Sequence, residues 1–394
     1  MMEKIINELK SLPKAVFYLA AVVAVGGLTA LYRLYAGLGA TTNLNKGYPW
    51  GVWISFDLSM VAFAGGAFTL AAIVYIFQRK EFHPAVYPTV LTGLVGYSSV
   101  LVILFMDLGR WDRFYHFIIY PNINSALFEV SWCILLYSTV LAYEISPVFF
   151  SGPRFDRIRA GLKKMTIPMV IAGVTLSTLH QSSLGTLFIV MSNRLHPLWY
   201  SLILPVFFWW SSIASGLAMV IGGATVSYWV FGRTLKQDLV AKLGSYLPWV
   251  LGVYLVGKVG ELVAAGETGL VFSSGRFSVL FLAELILGVV IPLVLFSIRK
   301  VRQSRIASLG SAVLVILGIT LNRFNASWFA MQPPEGYSYF PTLAEFLILG
   351  FVLAGVILVF TLVSHYFPIF AETEVREQVS ETRNEEKPTP APAH

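Results

Sequence analysis

Cysteine is nearly missing from this chain: Cys133 stands alone among 394 residues, inside an apolar run. One thiol excludes an intramolecular disulfide and a thiolate-bound iron–sulfur cluster, which needs several such ligands. Charge is scarce as well, with 12% of residues charged against 56% hydrophobic. A soluble domain of this size needs more charge to cover its surface. A basic patch is also lacking. The net charge is +7, but the Lys and Arg residues fall between the apolar runs, so they read as topology signals and not as a nucleic-acid surface. Ten-residue alternating segments are absent too, and continuous runs of eighteen or more apolar residues take their place. In hydrocarbon that pattern means helices and not a barrel.

The sequence therefore predicts an all-α polytopic membrane protein with ten spans, at 14–37, 50–77, 85–107, 122–148, 163–183, 198–230, 244–265, 276–298, 304–322 and 342–367. The first run is longer than a signal-peptide core and lacks a cleavage site, so it is expected to be a retained span. With the N-terminus in the cytoplasm, the inner segments hold twenty Lys and Arg and the outer ones eight. That bias places both termini of this multi-pass chain on the cytoplasmic side of the cell membrane. Residues 1–370 form the transmembrane domain, and 371–394, acidic and Pro-rich, are expected to be a disordered cytoplasmic tail.

Orientation fixes depth. Asp57 lies about seven residues below the outer start of its span, roughly 10 Å by the helical rise, and Glu129 is expected at the same depth in the fourth. Tyr97, Asp107, His180, Lys258, Glu261, Arg323 and Glu345 also fall in the outer leaflet; Glu144 and Glu284 lie deeper. An ionisable group inside a span is a functional hypothesis by default. Each has a structural alternative. Glu129 is then a carboxyl bonded to a neighbouring span, Asp57 pairs with a base from another span, and Lys258 with Glu261, three residues apart, neutralise one another. Aromatic outer loops such as Arg110-Trp111-Asp112-Arg113-Phe114-Tyr115 suit an interfacial belt in the lipid or a protein partner.

The stretch Gly47-Tyr48-Pro49-Trp50-Gly51-Val52-Trp53-Ile54-Ser55-Phe56-Asp57 resembles the NrfD family of membrane subunits, in its HybB-like branch. The likeness continues through Gly96-Tyr97-Ser98, Asp107-Leu108-Gly109-Arg110, Asn122-Ile123-Asn124-Ser125 with Phe128-Glu129, and His180-Gln181-Ser182-Ser183-Leu184-Gly185. It resumes at His196-Pro197-Leu198-Trp199, Gly260-Glu261-Leu262 and Gly336-Tyr337-Ser338-Tyr339-Phe340-Pro341-Thr342. The resemblance implies two four-helix bundles, spans two to five and six to nine, with the first and tenth spans flanking them. It also implies a quinone-reactive subunit, here assigned menaquinone, that binds no haem or iron–sulfur cluster itself. Its implied partners are an extracytoplasmic ferredoxin-like iron–sulfur subunit and further catalytic or cytochrome subunits. One departure is Ile221-Gly222-Gly223-Ala224-Thr225, where HybB-like chains can carry an acid.

Quinone chemistry moves two electrons and two protons, so a site needs an apolar slot and titratable groups at the quinone oxygens. Tyr97 and His180 are the expected carbonyl partners, with Asp57 or Glu129 relaying protons. Glu144, fifteen residues beyond Glu129 and roughly 22 Å deeper, is the candidate inner end of a proton path. His180 as a haem ligand is the competing assignment, but the other histidines fall in loops, span ends or the tail, which leaves a bis-histidine site incomplete. The rival functions are a secondary transporter of a small ion or solute and a non-catalytic membrane anchor. Transporters gather broken helices at mid-depth, whereas the polar groups here crowd one leaflet. An anchor leaves His180 and the outer acids without a task.

Overall fold

The computed structural model describes residues 14–150, 153–191, 193–231, 236–367 and 369. The expected tail, 371–394, lies outside the described residues. Ten helices among them are long and apolar enough to cross a membrane. They are α1 (Lys14–Ala36), α2 (Val52–Ile76), α3 (Val86–Asp107), α4 (Ala126–Phe149), α5 (Asp156–Val190), α6 (Leu204–Phe231), α7 (Leu247–Ala264), α8 (Arg276–Ser297), α9 (Arg305–Phe329) and α10 (Leu343–Tyr366). Helices satisfy each backbone group within the segment, which is what an apolar run must do in hydrocarbon.

Local sequence sets several boundaries. Thr342 and Glu345 form a reciprocal capping box that starts α10. Ser304 accepts from the Ala307 N–H at the start of α9. Three boundaries differ from expectation. α5 runs well past 163–183 at both ends, because Asp156–Lys164 is charged yet made of good helix formers, which hydropathy alone passes over. α6 starts at Leu204 and not at 198, since His196-Pro197 builds a turn in which the Trp199 N–H bonds the His196 carbonyl. α4 starts at Ala126 and not at 122, after a turn closed by the Ser125 N–H on the Asn122 carbonyl.

α2 to α5 pack as one bundle and α6 to α9 as a second, joined where α2 lies against α6; α1 and α10 pair with each other and rest on α3. Two glycine crossings bring backbones together, as small residues do between membrane helices. A Cβ at Gly216 of α6 would overlap the backbone of Gly66 on α2, and one at Gly318 of α9 would overlap Gly288 of α8. Gly288 sits in a π turn, Ile286–Val290; α2 and α9 end in π turns as well, at Ala72–Ile76 and Asn325–Phe329. Side chains pin α2 from both sides: Gln181 Nε2 of α5 donates to the Val61 carbonyl at 2.8 Å, and Ser215 Oγ of α6 to that of Ala62 at 2.7 Å.

The helices alternate in direction, so one end of the molecule collects the aromatic loops around Trp111, Trp199 and Tyr339, and the other the basic segments around Arg154 and Lys300. We refer to these as the aromatic and basic ends. Gly318→Ala should push α8 and α9 apart and cost about 1–3 kcal/mol, as overpacking does. A thermal midpoint equal to that of the unaltered protein in detergent would show that the crossing is looser than described.

Candidate functional site

A cavity opens in the first bundle, toward the aromatic end. α2 gives it Ile54, Asp57, Leu58 and Val61, which follow the three-to-four spacing of one helical face. Val100 and Leu104 come from α3, Leu127, Val130 and Ile134 from α4, and His180, Leu184, Leu187 and Phe188 from α5, with Trp50 over the top. The wall is apolar except for Asp57 and His180. Both are buried, and neither carboxylate oxygen nor either imidazole nitrogen has a hydrogen-bond partner among the described residues. The alternative for Asp57, pairing with a base, is therefore not what the bundle builds. Buried polar groups are almost always bonded, and an acid and an imidazole left open in one slot mark a place for a polar ligand or water.

Tyr97 stacks edge-on against His180, with ring centroids 5.5 Å apart, and against Tyr137 of α4 at 4.7 Å. The hydroxyls of Tyr97, Tyr137 and Ser177 lie buried there, none of them in a formed hydrogen bond among the described residues. Beyond Tyr137, Gly173 packs between Tyr137 and Glu144, which lines a separate cavity with Tyr75, Tyr87, Tyr143 and Thr166. Tyr137 and Ser177 are absent from the candidates that the sequence suggests. Helical spacing carries the signal for both: Tyr137 is two turns from Glu129, and Ser177 is three residues before His180.

Glu129 stands differently from its expected depth. It occupies the first turn of α4 and is exposed, so it does not line the cavity; the α4 residues that do are its neighbours Leu127, Val130 and Ile134. Because the helix begins four residues later than predicted, the carboxyl moves toward the aromatic end. Its contact with a neighbouring span is with Ser183 Oγ at 2.5 Å, and that hydroxyl also lies 2.7 Å from the Leu179 carbonyl. One hydroxyl hydrogen faces two acceptors. Leu127, beside Glu129, lines the cavity while 60% exposed.

The second bundle bonds its buried acid. Glu284 is buried and accepts from Trp199 Nε1 at 2.8 Å, Asn322 Nδ2 at 2.7 Å and Asn325 Nδ2 at 2.8 Å. Arg323 donates to Asn322 Oδ1, Ser211 Oγ and the Phe208 carbonyl, and lies over the Phe208 ring at 3.7 Å. One amide thus links a buried carboxylate to a buried guanidinium. Lys258 and Glu261 form the expected pair at 3.4 Å.

At the aromatic end, the exposed pair Arg110 and Asp112 bonds through two contacts, and that guanidinium holds the Asp112 carboxyl down at about 2. His196 is buried against Phe277 and Trp199, and burial lowers its pKa from the ordinary value. His83 lies beside the Tyr75 hydroxyl, His116 among loop tyrosines and His365 beside Tyr366. None of these faces His180 across the cavity, so a bis-histidine haem has no second ligand there among the described residues.

A family described as "Polysulphide reductase, NrfD" matches residues 40–326. The chain is 35% identical over 350 residues, 87% of its own length and 89% of the relative's, to a "Probable Ni/Fe-hydrogenase 2 b-type cytochrome subunit" of Escherichia coli. It is 29% identical, over 88% of this chain and 89% of the relative, to the "Menaquinone reductase, integral membrane subunit" of Nitratidesulfovibrio vulgaris. It is 24% identical, over 96% and 98%, to a selenate reductase subunit of Mesobacillus selenatarsenatis.

The two bundles should respond differently to loss of an acid. Glu284→Leu strands three buried donors and should cost about 3–5 kcal/mol, whereas Asp57→Asn breaks no bond and should leave the thermal midpoint in place. Equal losses would mean that Asp57 has a structural partner after all.

Proposed function

The chain belongs to the NrfD family, and from that premise we propose that it is the quinone-reactive membrane subunit of a respiratory oxidoreductase complex, exchanging electrons between menaquinone and an extracytoplasmic iron–sulfur partner. The observation that carries this reading is the apolar cavity in which Asp57 and His180 stand without partners among the described residues. When bound, a quinone head supplies a carrier for two electrons and two protons. His180 has nitrogen positions open to hold one of its oxygens, Asp57 has a carboxyl open to exchange a proton with it, and the surrounding Leu, Ile and Val side chains keep water away. Tyr97 orients the imidazole through its ring contact.

The aromatic end is assigned to the outer face and both termini to the cytoplasm, on the distribution of Lys and Arg. With Cys133 as the sole thiol, electrons must arrive from or leave to another subunit. A ferredoxin-like protein seated on the exposed Trp111, Phe114, Tyr115 and Ile118 is the partner this surface suits, with further catalytic or cytochrome subunits beyond it. The relatives named as hydrogenase, menaquinone reductase and selenate reductase subunits support a place in such a complex.

We further assign Glu129 to proton exchange near the cavity, and Glu144, past the Tyr97, Tyr137 and Ser177 hydroxyls, to the inner end of a proton path. Purification of the native complex in mild detergent, with subunit identification and a turnover assay on a soluble menaquinone analogue, tests the main reading. The expected result is an iron–sulfur partner and analogue-dependent turnover that falls by about 10²-fold or more in His180→Ala or Asp57→Asn. A chain that purifies alone and binds no quinone would overturn it. In vesicles, Glu129→Gln should lower proton uptake per electron; unchanged stoichiometry at normal turnover would remove Glu129 from the route.

A further inference from the structure

Near the cavity stands a second acid that the proposed chemistry does not use. Val100 and Leu104 of α3 line the slot, and Asp107, three residues further, continues the same helical face toward the aromatic end. Asp107 is half-buried, with Oδ1 sealed from solvent and without a partner among the described residues. It therefore stands between the cavity and the surface at the aromatic end.

Two fixed groups stand at this end of α3, on two helices that pack against it. Arg33 of α1 is fully buried; Nη2 donates to the Leu108 carbonyl at 2.7 Å, while Nε and Nη1 have no partner among the described residues. Glu345 of α10, 1% exposed, accepts from the Tyr339 hydroxyl at 2.5 Å, the Thr342 N–H at 2.8 Å and the Asn43 N–H at 3.2 Å. Three donors use its oxygens as acceptors. Burial, with the bond to Glu345, raises the Tyr339 pKa well above the ordinary phenol range, so that hydroxyl stays a donor. Arg33, bonded to the carbonyl next to Asp107, is the cation at this end of α3, and Glu345 is the acid on α10, which packs against α3. Trp53, one turn before Asp57 on α2, ties the assembly to the cavity wall by donating to the Glu345 carbonyl at 3.1 Å. Among Arg33, Asp57, Asp107, Tyr339 and Glu345, Asp107 is the half-buried group with an unengaged oxygen on the way out.

We propose that Asp107 is the outer proton port of the cavity, exchanging protons between Asp57 and water at the aromatic end, with Arg33 and Glu345 setting the pH range over which it works. In the oxidising direction the quinol gives two electrons to the iron–sulfur partner. One of its protons goes to the Asp57 carboxylate, then to the Asp107 carboxylate, then to water, and the other leaves through Glu129, the exchange group assigned above; reduction runs the same transfers backward. The inference rests on the quinone reading above. It gives α1 and α10 a task, because Arg33 and Glu345 lie outside residues 40–326, the segment that matches the family.

The test uses the native complex in vesicles, with menadione and menadiol as probes and a pH indicator on the aromatic side. Asp107→Asn should lower turnover about 10-fold or more with menadione affinity unchanged, and Asp107→Glu should recover most of it. Arg33→Gln removes a cation that favours the ionised port, so the acidic limb of the rate profile should move to higher pH. Glu345→Gln removes an anion and should move it the other way. Arg33→Lys keeps the charge and should hold the limb in place, which covers the case in which Arg33→Gln does not fold. An Asp107→Asn complex with normal rate and pH profile overturns the port while the quinone reading stands. So do limbs that stay in place while only the thermal midpoints fall. An unaltered complex with no menadione turnover overturns both.

Discussion

A polar side chain carried into hydrocarbon loses its hydrogen bonds to water, and each one not replaced costs free energy. Most of this protein's architecture answers that constraint. The backbone answers it with helices, and Ser and Thr side chains answer it by bonding to their own helix three or four residues back. In the second bundle Glu284 and Arg323 answer it through Trp199, Asn322, Asn325 and Ser211. The first bundle leaves the constraint open at Asp57, His180, Tyr97 and Tyr137. The two halves thus differ at their buried acids: Glu284 is bonded three times, and Asp57 has no partner among the described residues.

That division depends on α2. It carries Asp57, is held at the Val61 and Ala62 carbonyls by side chains from both bundles, and meets α6 backbone to backbone at Gly66 and Gly216. A helix fixed from two sides can hold an unpartnered acid in place without spending that acid's own oxygens on the task. The π turns at Ile286–Val290 and Asn325–Phe329 do similar service in the second bundle, bringing Gly288 to Gly318 and Asn325 to Glu284.

Much of this is legible in the sequence, for physical reasons. Ten spans follow from apolar length, and the pairing of Lys258 with Glu261 follows from helical spacing. Asp57, His180 and Tyr97 are legible as intramembrane polar groups within family motifs. Other features follow from three-dimensional placement that no single stretch encodes. Hydrophobicity alone starts α4 too early, which puts Glu129 too deep by one turn. Tyr137 and Ser177 are ordinary helix residues until α3, α4 and α5 bring them against Tyr97. Arg33 and Asp107, 74 positions apart by their residue numbers, become neighbours when α1 packs beside α3. That the buried acid of one bundle is fully bonded while the acid and imidazole of the other are left open is a property of the fold.

The exposure of Leu127, a cavity-lining residue, implies a direction of traffic. A slot whose side wall borders the bilayer admits a molecule with a long apolar tail sideways, without passing it through water or past the aromatic loops. Occupancy then follows the mole fraction of that molecule in the lipid and not its aqueous concentration. Bulk at position 127, or lipids that order tightly against α4, would throttle entry while leaving the acid and the imidazole untouched.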